Sequence, residues 1–311
     1  MDRRDEQALT AVKLYFQQGL SQAEVAQELG VSRPTASKLI NHGKQRGFVT
    51  VEIHDPREER SELADGIKNR YHLDDVRIAH APRNARADIL HEVGRTGAGL
   101  LSELVRDGMS IGISWGDTMY ALARQLEEVP VRDVQIVQLK GGHSHSARST
   151  HDLETMRLFA AAFHASTLPL PLPIIFDNVQ TKQVVETDRH IAAVLEAGRN
   201  ADIAVFTVGD ASRESLPLNL GYLTEEEMDK LSHTAVGDVC SRFFTADGQV
   251  AVPEIDARTV GITIDDLKHC DTRLLVAGGA SKVDALSVAL DMGIATHLVI
   301  DREIALHLQR A

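Results

Sequence analysis

The segment Ser21–Gly47, SQAEVAQELGVSRPTASKLINHGKQRG, constrains this chain more than any other stretch. Ser21 is followed three residues later by Glu24, the start of a capping box. Ala23, Val25, Ala26 and Leu29 give a short helix one apolar face. Gly30 supplies the left-handed backbone that a sharp turn needs. Ser32 is placed to cap a second helix, and Pro34 sits in its first turn, where a missing N–H costs nothing. The pattern predicts a helix-turn-helix.

The second helix is basic. Val31–Gly47 holds Arg33, Lys38, Lys44 and Arg46 and no acidic residue, although the 311-residue chain carries a formal net charge of -12. Met1–Asp55 has seven Lys/Arg and seven Asp/Glu, so the remaining 26 basic and 38 acidic residues hold the whole net charge. Local positive charge on an acidic body points to DNA phosphates as partner of one small head. The bland alternative is a helical hairpin with a solvated basic face. The cap, the glycine turn and the small polar residues opening the second helix together favour the DNA reader. In that geometry Arg33, Thr35, Ala36 and Ser37 face base edges, Gln22 and Lys38 face phosphates, and Ser32 caps the reading helix.

The length suits two domains, and 43% hydrophobic with 25% charged residues is an ordinary globular balance. No apolar run reaches the ~20 residues of a bilayer span, and MDRRDEQALT lacks the apolar core of a signal peptide. Cys240 and Cys270 have no metal-type spacing and read as small buried residues of a cytoplasmic protein.

Asp5–Gln18 reads as a first helix, and FVTVEI at Phe48–Ile53 alternates like a strand, in the position of a wing. His54-Asp55-Pro56 breaks the pattern and sets the expected domain boundary, 1–55 against 56–311; Arg57–Tyr71 then reads as a charged linking helix. Beyond it, apolar strands at Ser110–Ser114, Val134–Leu139, Ile203–Val208, Arg273–Ala277 and His297–Ile300 alternate with helical stretches at Thr118–Leu126, Leu153–His164, Thr181–Ala197 and Val283–Leu290. Near-continuous apolar strands between helices predict an α/β domain with a mostly parallel sheet. No GxGxxG follows the first strand, which argues against a dinucleotide domain.

Ligands of such sheets bind beyond the carboxyl ends of the strands. Ser114-Trp115-Gly116-Asp117-Thr118 joins a strand to a helix and reads as an anion loop or as an ordinary tight turn. Lys140-Gly141-Gly142 ends another strand; the lysine is a phosphate ligand, an amine nucleophile or a plain surface residue. Gly278-Gly279-Ala280-Ser281-Lys282 repeats the first logic, with Ser281 as a cap and Lys282 as charge. Two such loops on one sheet predict a site for a phosphorylated small molecule. Asp238 is placed to accept sugar hydroxyls or to cap a turn. His143 and His145 form an H-x-H pair with no evident third ligand, so neither metal nor cofactor is expected.

In order and spacing, Gly19-Leu20-Ser21-Gln22, SRPTASKLI, GISWGDTMY, VQLKGG, LPLPIIFDN, DRHI, FTVG, AVGDVCSRFF and LLVAGGASKV resemble the SorC/DeoR family of bacterial transcription regulators, in the deoxyribonucleoside-regulator branch. The resemblance covers nearly the whole chain. It implies a winged helix-turn-helix head and a sugar-phosphate-isomerase-like, Rossmann-type effector domain. It further implies a homo-oligomer, dimer or tetramer, whose hold on operator DNA changes with a phosphorylated sugar. Family correspondence places phosphate near Gly116, Asp117, Thr118, Gly279, Ser281 and Lys282, and sugar near Lys140, Gly141 and Asp238. With deoxyribose 5-phosphate, whose aldehyde is readily exposed, a desolvated Lys140 is expected to form an imine. The rival reading is a sugar-phosphate isomerase or aldolase-like enzyme bearing a DNA-binding head. A convincing general-base pair beside the loops is missing from the sequence, which favours a sensor.

Overall fold

The computed structural model describes residues 2–50, 62–142 and 148–310. The chain divides into two compact units, Met1–Pro56 and Arg57–Ala311.

The first unit is helical: α1 (Arg3–Val12), a π-helical turn (Lys13–Gln17), α2 (Gln22–Glu28) and α3 (Arg33–Gln45). Its small core is Ala8, Ala11, Val12, Val25, Ala26, Ala36, Leu39 and Ile40. The capping box is complete: Ser21 Oγ accepts from the Glu24 N–H at 3.3 Å, and the Glu24 carboxylate accepts from the Ser21 N–H at 2.7 Å. Gly30 has φ +63 in the turn, and Ser32 Oγ accepts from the Thr35 N–H to begin α3. Asp5 of α1 reaches α3, accepting from His42 at 2.8 Å and Arg46 at 2.9 Å. These partners, His42 foremost, hold the Asp5 carboxyl below the usual carboxylate range. The expected strand at Phe48–Ile53 is corrected in part. Phe48–Thr50 form no strand, Phe48 and Val49 packing instead against the helical core, and Val51–Ile53 lie outside the described residues. The expected boundary at His54-Asp55-Pro56 also lies outside them.

Among the described residues the second unit carries ten strands: β1 (Asp75–Ala79), β2 (Ser110–Ile113), β3 (Gln135–Gln138), β4 (Ser166–Leu168), β5 (Ile203–Phe206), β6 (Val208–Asp210), β7 (Gly237–Val239), β8 (Arg242–Phe244), β9 (Thr272–Ala277) and β10 (His297–Asp301). The helices are α4 (Glu62–Tyr71), α5 (Arg86–Leu104), α6 (Asp117–Ala123), α7 (Asp152–Ala162), α8 (Val179–Glu186), α9 (Arg189–Arg199), α10 (Glu225–Thr234), α11 (Pro253–Asp256), α12 (Ile264–His269), α13 (Val283–Asp291) and α14 (Arg302–Arg310). Seven strands form one sheet in the order β1-β10-β9-β5-β2-β3-β4, and every pairing in it is parallel. Alternate strand residues feed two cores. Phe206, Leu275, Ala277 and Ile300 pack with α4, α13 and α14. Ile113, Val205, Val276 and Val299 pack with α5, α6 and α7. Covering on both faces is why the strands read as unbroken apolar runs.

The strand order reverses between β2 and β5: β3 and β4 lie to one side, β9, β10 and β1 to the other. A crevice opens beyond the carboxyl ends of strands at such a reversal. A three-stranded antiparallel sheet, β6-β7-β8, rises beside it, and β6 leaves β5 after a single residue, Thr207. The expected helix Thr181–Ala197 is two helices, because Asp188 caps a new start by accepting from the His190 and Ile191 N–H groups. The long α5, absent from the sequence expectations, lies against α6 through Gly94, where an added Cβ would stand 2.7 Å from the Ala121 backbone.

Gly94→Ala therefore pushes α5 and α6 apart, and overpacking of this kind costs about 1–3 kcal/mol. We expect a lower denaturant midpoint with an unchanged slope; a wild-type midpoint would show that the helices give way freely.

Candidate functional site

A cavity of about 670 Å³ lies at the strand-order reversal. Its walls include residues just past β2 (Trp115, Gly116, Asp117, Thr118), β3 (Lys140), β5 (Thr207) and β9 (Ser281, Lys282), with Asp238 from β7. Seven of the nine predicted effector residues thus meet in one place. Gly141 and Gly279 do not line it. Gly141 lies behind Lys140, where an added Cβ would stand 2.3 Å from the Pro173 carbonyl oxygen, and its own carbonyl accepts the Trp115 Nε1–H at 2.8 Å. Gly279, with φ +100, donates its N–H to Asp301 at 2.7 Å. Ser281 makes no helix cap; its residue faces the cavity while the helix beyond begins without a side-chain cap.

Lys140 is the unusual group. It is only 4% exposed. Its Nζ stands 3.6 Å from the centroid of the Trp115 ring and donates to Ser241 Oγ at 3.3 Å. Burial lowers its pKa, partly opposed by Asp238. Asp238 is 3% exposed, with Oδ2 accepting from the Ser241 N–H at 2.9 Å and Oδ1 buried without a partner among the described residues. Burial raises its pKa, against Lys140 and the Ser241 N–H. Both shifts run toward the neutral forms, because burial penalises either charge. Lys282 donates to Thr118 Oγ1 at 3.0 Å and Thr207 Oγ1 at 3.1 Å, and burial pulls its pKa down to about 8. Arg86 pairs with Asp117 at 2.6 Å at the rim.

Three participants escaped the sequence reading. Thr207 directly follows β5, so the same strand-end rule would have found it. Trp115 stood inside a flagged loop, but its ring contact with a residue on another strand leaves no local mark. Ser241 follows Cys240 in a two-residue turn between β7 and β8, both with positive φ (51 and 62), without the glycine that usually announces such a turn. Cys240 and Cys270 are buried free thiols. His143 and His145 lie outside the described residues, and among those described no group of three or more His, Cys, Asp or Glu stands ready for a metal.

The second candidate surface is the amino-terminal half of α3. Arg33, Thr35 and Lys38 are exposed there, Ser37 and, on α2, Gln22 are partly exposed, and neither Arg33 nor Lys38 forms an ion pair among the described residues. Ser32 is occupied as the cap, also bonding Thr35 Oγ1 at 2.8 Å. Ala36 is corrected: it is 0% exposed in the helical core, so its methyl group holds α3 in place and meets no base. The carboxyl-terminal cations are spent inside the unit, Lys44 over the Phe16 ring and Arg46 on Asp5.

Comparison with known proteins agrees with this division. Residues 55–309 match the family described as "Putative sugar-binding domain", and residues 6–61 match the MarR family. The deoxyribonucleoside regulator of Bacillus subtilis (strain 168) is 42% identical over 306 residues, 98% of each chain. The sorbitol operon regulator of Klebsiella pneumoniae is 28% identical over 296 residues, 94% of each chain. The crystal structure of full-length SorC from Klebsiella pneumoniae superposes with a TM-score of 0.72 at 26% identity, covering 99% of this chain and 100% of that one. A transcriptional regulator from Streptococcus pneumoniae TIGR4 superposes at 0.75 with 27% identity, covering 80% of this chain and 96% of that one. No helix among the described residues is long and apolar enough to cross a membrane.

Arg33→Ala should relax base preference at one operator position, by about 1–3 kcal/mol for a bidentate contact. Lys38→Ala should weaken binding evenly across sequences and flatten its salt dependence. Footprinting and salt titration of the two variants separate reader from anchor; an unchanged footprint and affinity in Arg33→Ala removes that residue from the readout.

Proposed function

The chain belongs to the SorC/DeoR family of transcriptional regulators, in the branch of the deoxyribonucleoside regulator, and on that footing we propose that it represses (deoxy)ribonucleoside or related sugar catabolism from the cytoplasm. A phosphorylated sugar, deoxyribose 5-phosphate in first place, enters the cavity and releases the protein from its operator. The second unit, residues 56–311 in the sequence division, also joins copies of the chain into a dimer or tetramer. Gln22, Ser32, Arg33, Thr35, Ser37 and Lys38 make or support the DNA contacts.

The observation that carries this reading is the desolvated Lys140 amine, set between the Trp115 ring and Ser241 and backed by Asp238. A neutral amine attacks an aldehyde carbon. The carbonyl oxygen takes up a proton to give a carbinolamine, and loss of water leaves an imine at Lys140. Asp238, held toward its acid form, is the group that gives the proton to the departing hydroxyl and recovers one from the nitrogen. At the other end of the sugar, Lys282, Thr118 and Ser281 receive the phosphate, with Lys282 as the point charge. The reaction stops at the imine and reverses when the sugar leaves, which is sensing without turnover.

A gel shift on the DNA upstream of the protein's own operon, with and without sugar phosphates, tests the regulatory claim: the band is retained without effector and lost with deoxyribose 5-phosphate. Equal retention in saturating effector refutes it. Borohydride added with the sugar should fix its mass on the Lys140 peptide and leave Lys140→Met unmodified; no added mass on the wild type removes the covalent step. Affinity for the sugar phosphate should also depend on pH through Lys282. Its ammonium is complete well below pH 8 and is lost as pH rises through about 8, so affinity falls by up to about tenfold per pH unit above that point. Calorimetric titrations from pH 7 to pH 9.5 read this, and Lys282→Met should bind weakly and without the alkaline decline.

A further inference from the structure

Asp301 ends β10 and is only 3% exposed. A buried carboxylate needs partners, and this one has three. Oδ1 accepts from the Glu303 and Ile304 N–H groups at 2.8 and 3.1 Å, which caps α14. Oδ2 accepts from the Gly279 N–H at 2.7 Å. One side chain thus fastens the carboxyl-terminal helix to the loop that carries Ser281 and Lys282 into the cavity. On its far side α14 buries Ile304, Ala305 and Leu308 in the cluster that also holds Ile67 and Tyr71 of α4. Arg70 of α4 donates to the Leu308 carbonyl at 3.1 Å. In sequence, α4 is the first described element after the head.

Asp301 also has somewhere else to turn. It lines a separate cavity of about 380 Å³, together with His80 and Asn84. There His80 Nε2 is buried without a partner among the described residues. Ala79 and Asp301 are register partners across β1 and β10, so His80, one residue on, leaves the sheet beside the Asp301 strand end.

We propose that Asp301 is a two-position latch that reports occupancy of the effector cavity. In one position Oδ2 holds the Gly279 N–H. When phosphate on Ser281 and Lys282 draws their loop toward the cavity, the Gly279 N–H leaves Oδ2, the carboxylate turns to His80 Nε2, and the start of α14 moves with it against α4. This rests on the proposed binding of a sugar phosphate and names the residue through which that binding is read. A ligand shifts a two-state equilibrium only through contacts that differ between the states, and a loop held back by the Gly279–Asp301 bond in one state and drawn onto the phosphate in the other is such a contact. Asp301 is therefore a positioning residue and does not itself contact the sugar.

Asp301→Asn and Asp301→Ser each leave an oxygen to cap α14, since both residue types are good caps, and remove the acceptor facing Gly279. With full-length protein and the upstream DNA fragment, and no ligand present, both variants should bind DNA about fivefold or more weaker than wild type, the size of an ordinary coupling. Amide exchange in Glu62–Tyr71 should quicken in the same samples while the thermal midpoint stays near wild type. His80→Leu should bind DNA normally without ligand and lose at least half of the release caused by deoxyribose 5-phosphate; His80→Gln, which keeps an N–H donor, should restore it. Wild-type DNA affinity and exchange in both ligand-free Asp301 variants, or full release in His80→Leu, overturns the latch. Failure of the functional reading looks different: wild-type protein keeps its DNA in saturating sugar phosphate, while the ligand-free comparison still reports on Asp301.

Discussion

Everything at the candidate site depends on the reversal of strand order between β2 and β5. Parallel strands on the two sides of that line send their following segments to opposite faces of the sheet, so no segment closes over the gap. Loops from β2, β3, β5 and β9 then converge without touching one another in sequence. A lysine at the end of β3 meets a tryptophan just past β2, and a lysine beyond β9 meets threonines beyond β2 and β5. The short antiparallel sheet closes the far wall and brings in Asp238.

Burial decides the chemistry of the gathered groups. Lys140 and Asp238 are taken out of water without a direct ion pair between them, so each drifts toward its neutral form. Lys282 keeps two hydroxyl acceptors, and burial pulls its pKa down to about 8. One cavity therefore holds a desolvated amine whose pKa is lowered and, apart from it, a second lysine with two hydroxyl partners, the pair of groups on which the proposed function draws. In the head the division is simpler. The cations of α3 nearest its carboxyl end hold the unit together, and those nearest its amino end remain available.

Local signals in the sequence carried the head almost completely. A capping box, a glycine turn and a second cap are each readable within a few residues, and each formed. The parallel sheet was legible for the same reason: five of its strands are apolar runs long enough to stand alone. The losses have a common cause in distance. The edge strand β4 has only three residues and β1 only five, and α5 contains Gly94, Gly97 and Gly99, of which the first two serve close contacts with α6 and β9 and the third lies in open space. Ala36 looked like a small residue open to DNA, and its burial depends on α1, a partner remote in sequence. Gly141 and Gly279 sit next to the cavity without entering it, because one supports Trp115 and the other is tied to Asp301.

The turn at Cys240 and Ser241 has a consequence for how tightly any guest is held. Two non-glycine residues with positive φ cost of order 1–3 kcal/mol each, and they persist only where surrounding packing leaves no alternative. That cost is met when the chain folds, before any sugar arrives. Ser241 is consequently already aimed at the lysine amine, and little side-chain freedom remains to be frozen at that wall on association. Under the proposed function, selectivity among related sugars is set by the shape of a rigid mould, and a glycine in this turn would soften the mould and broaden what it accepts.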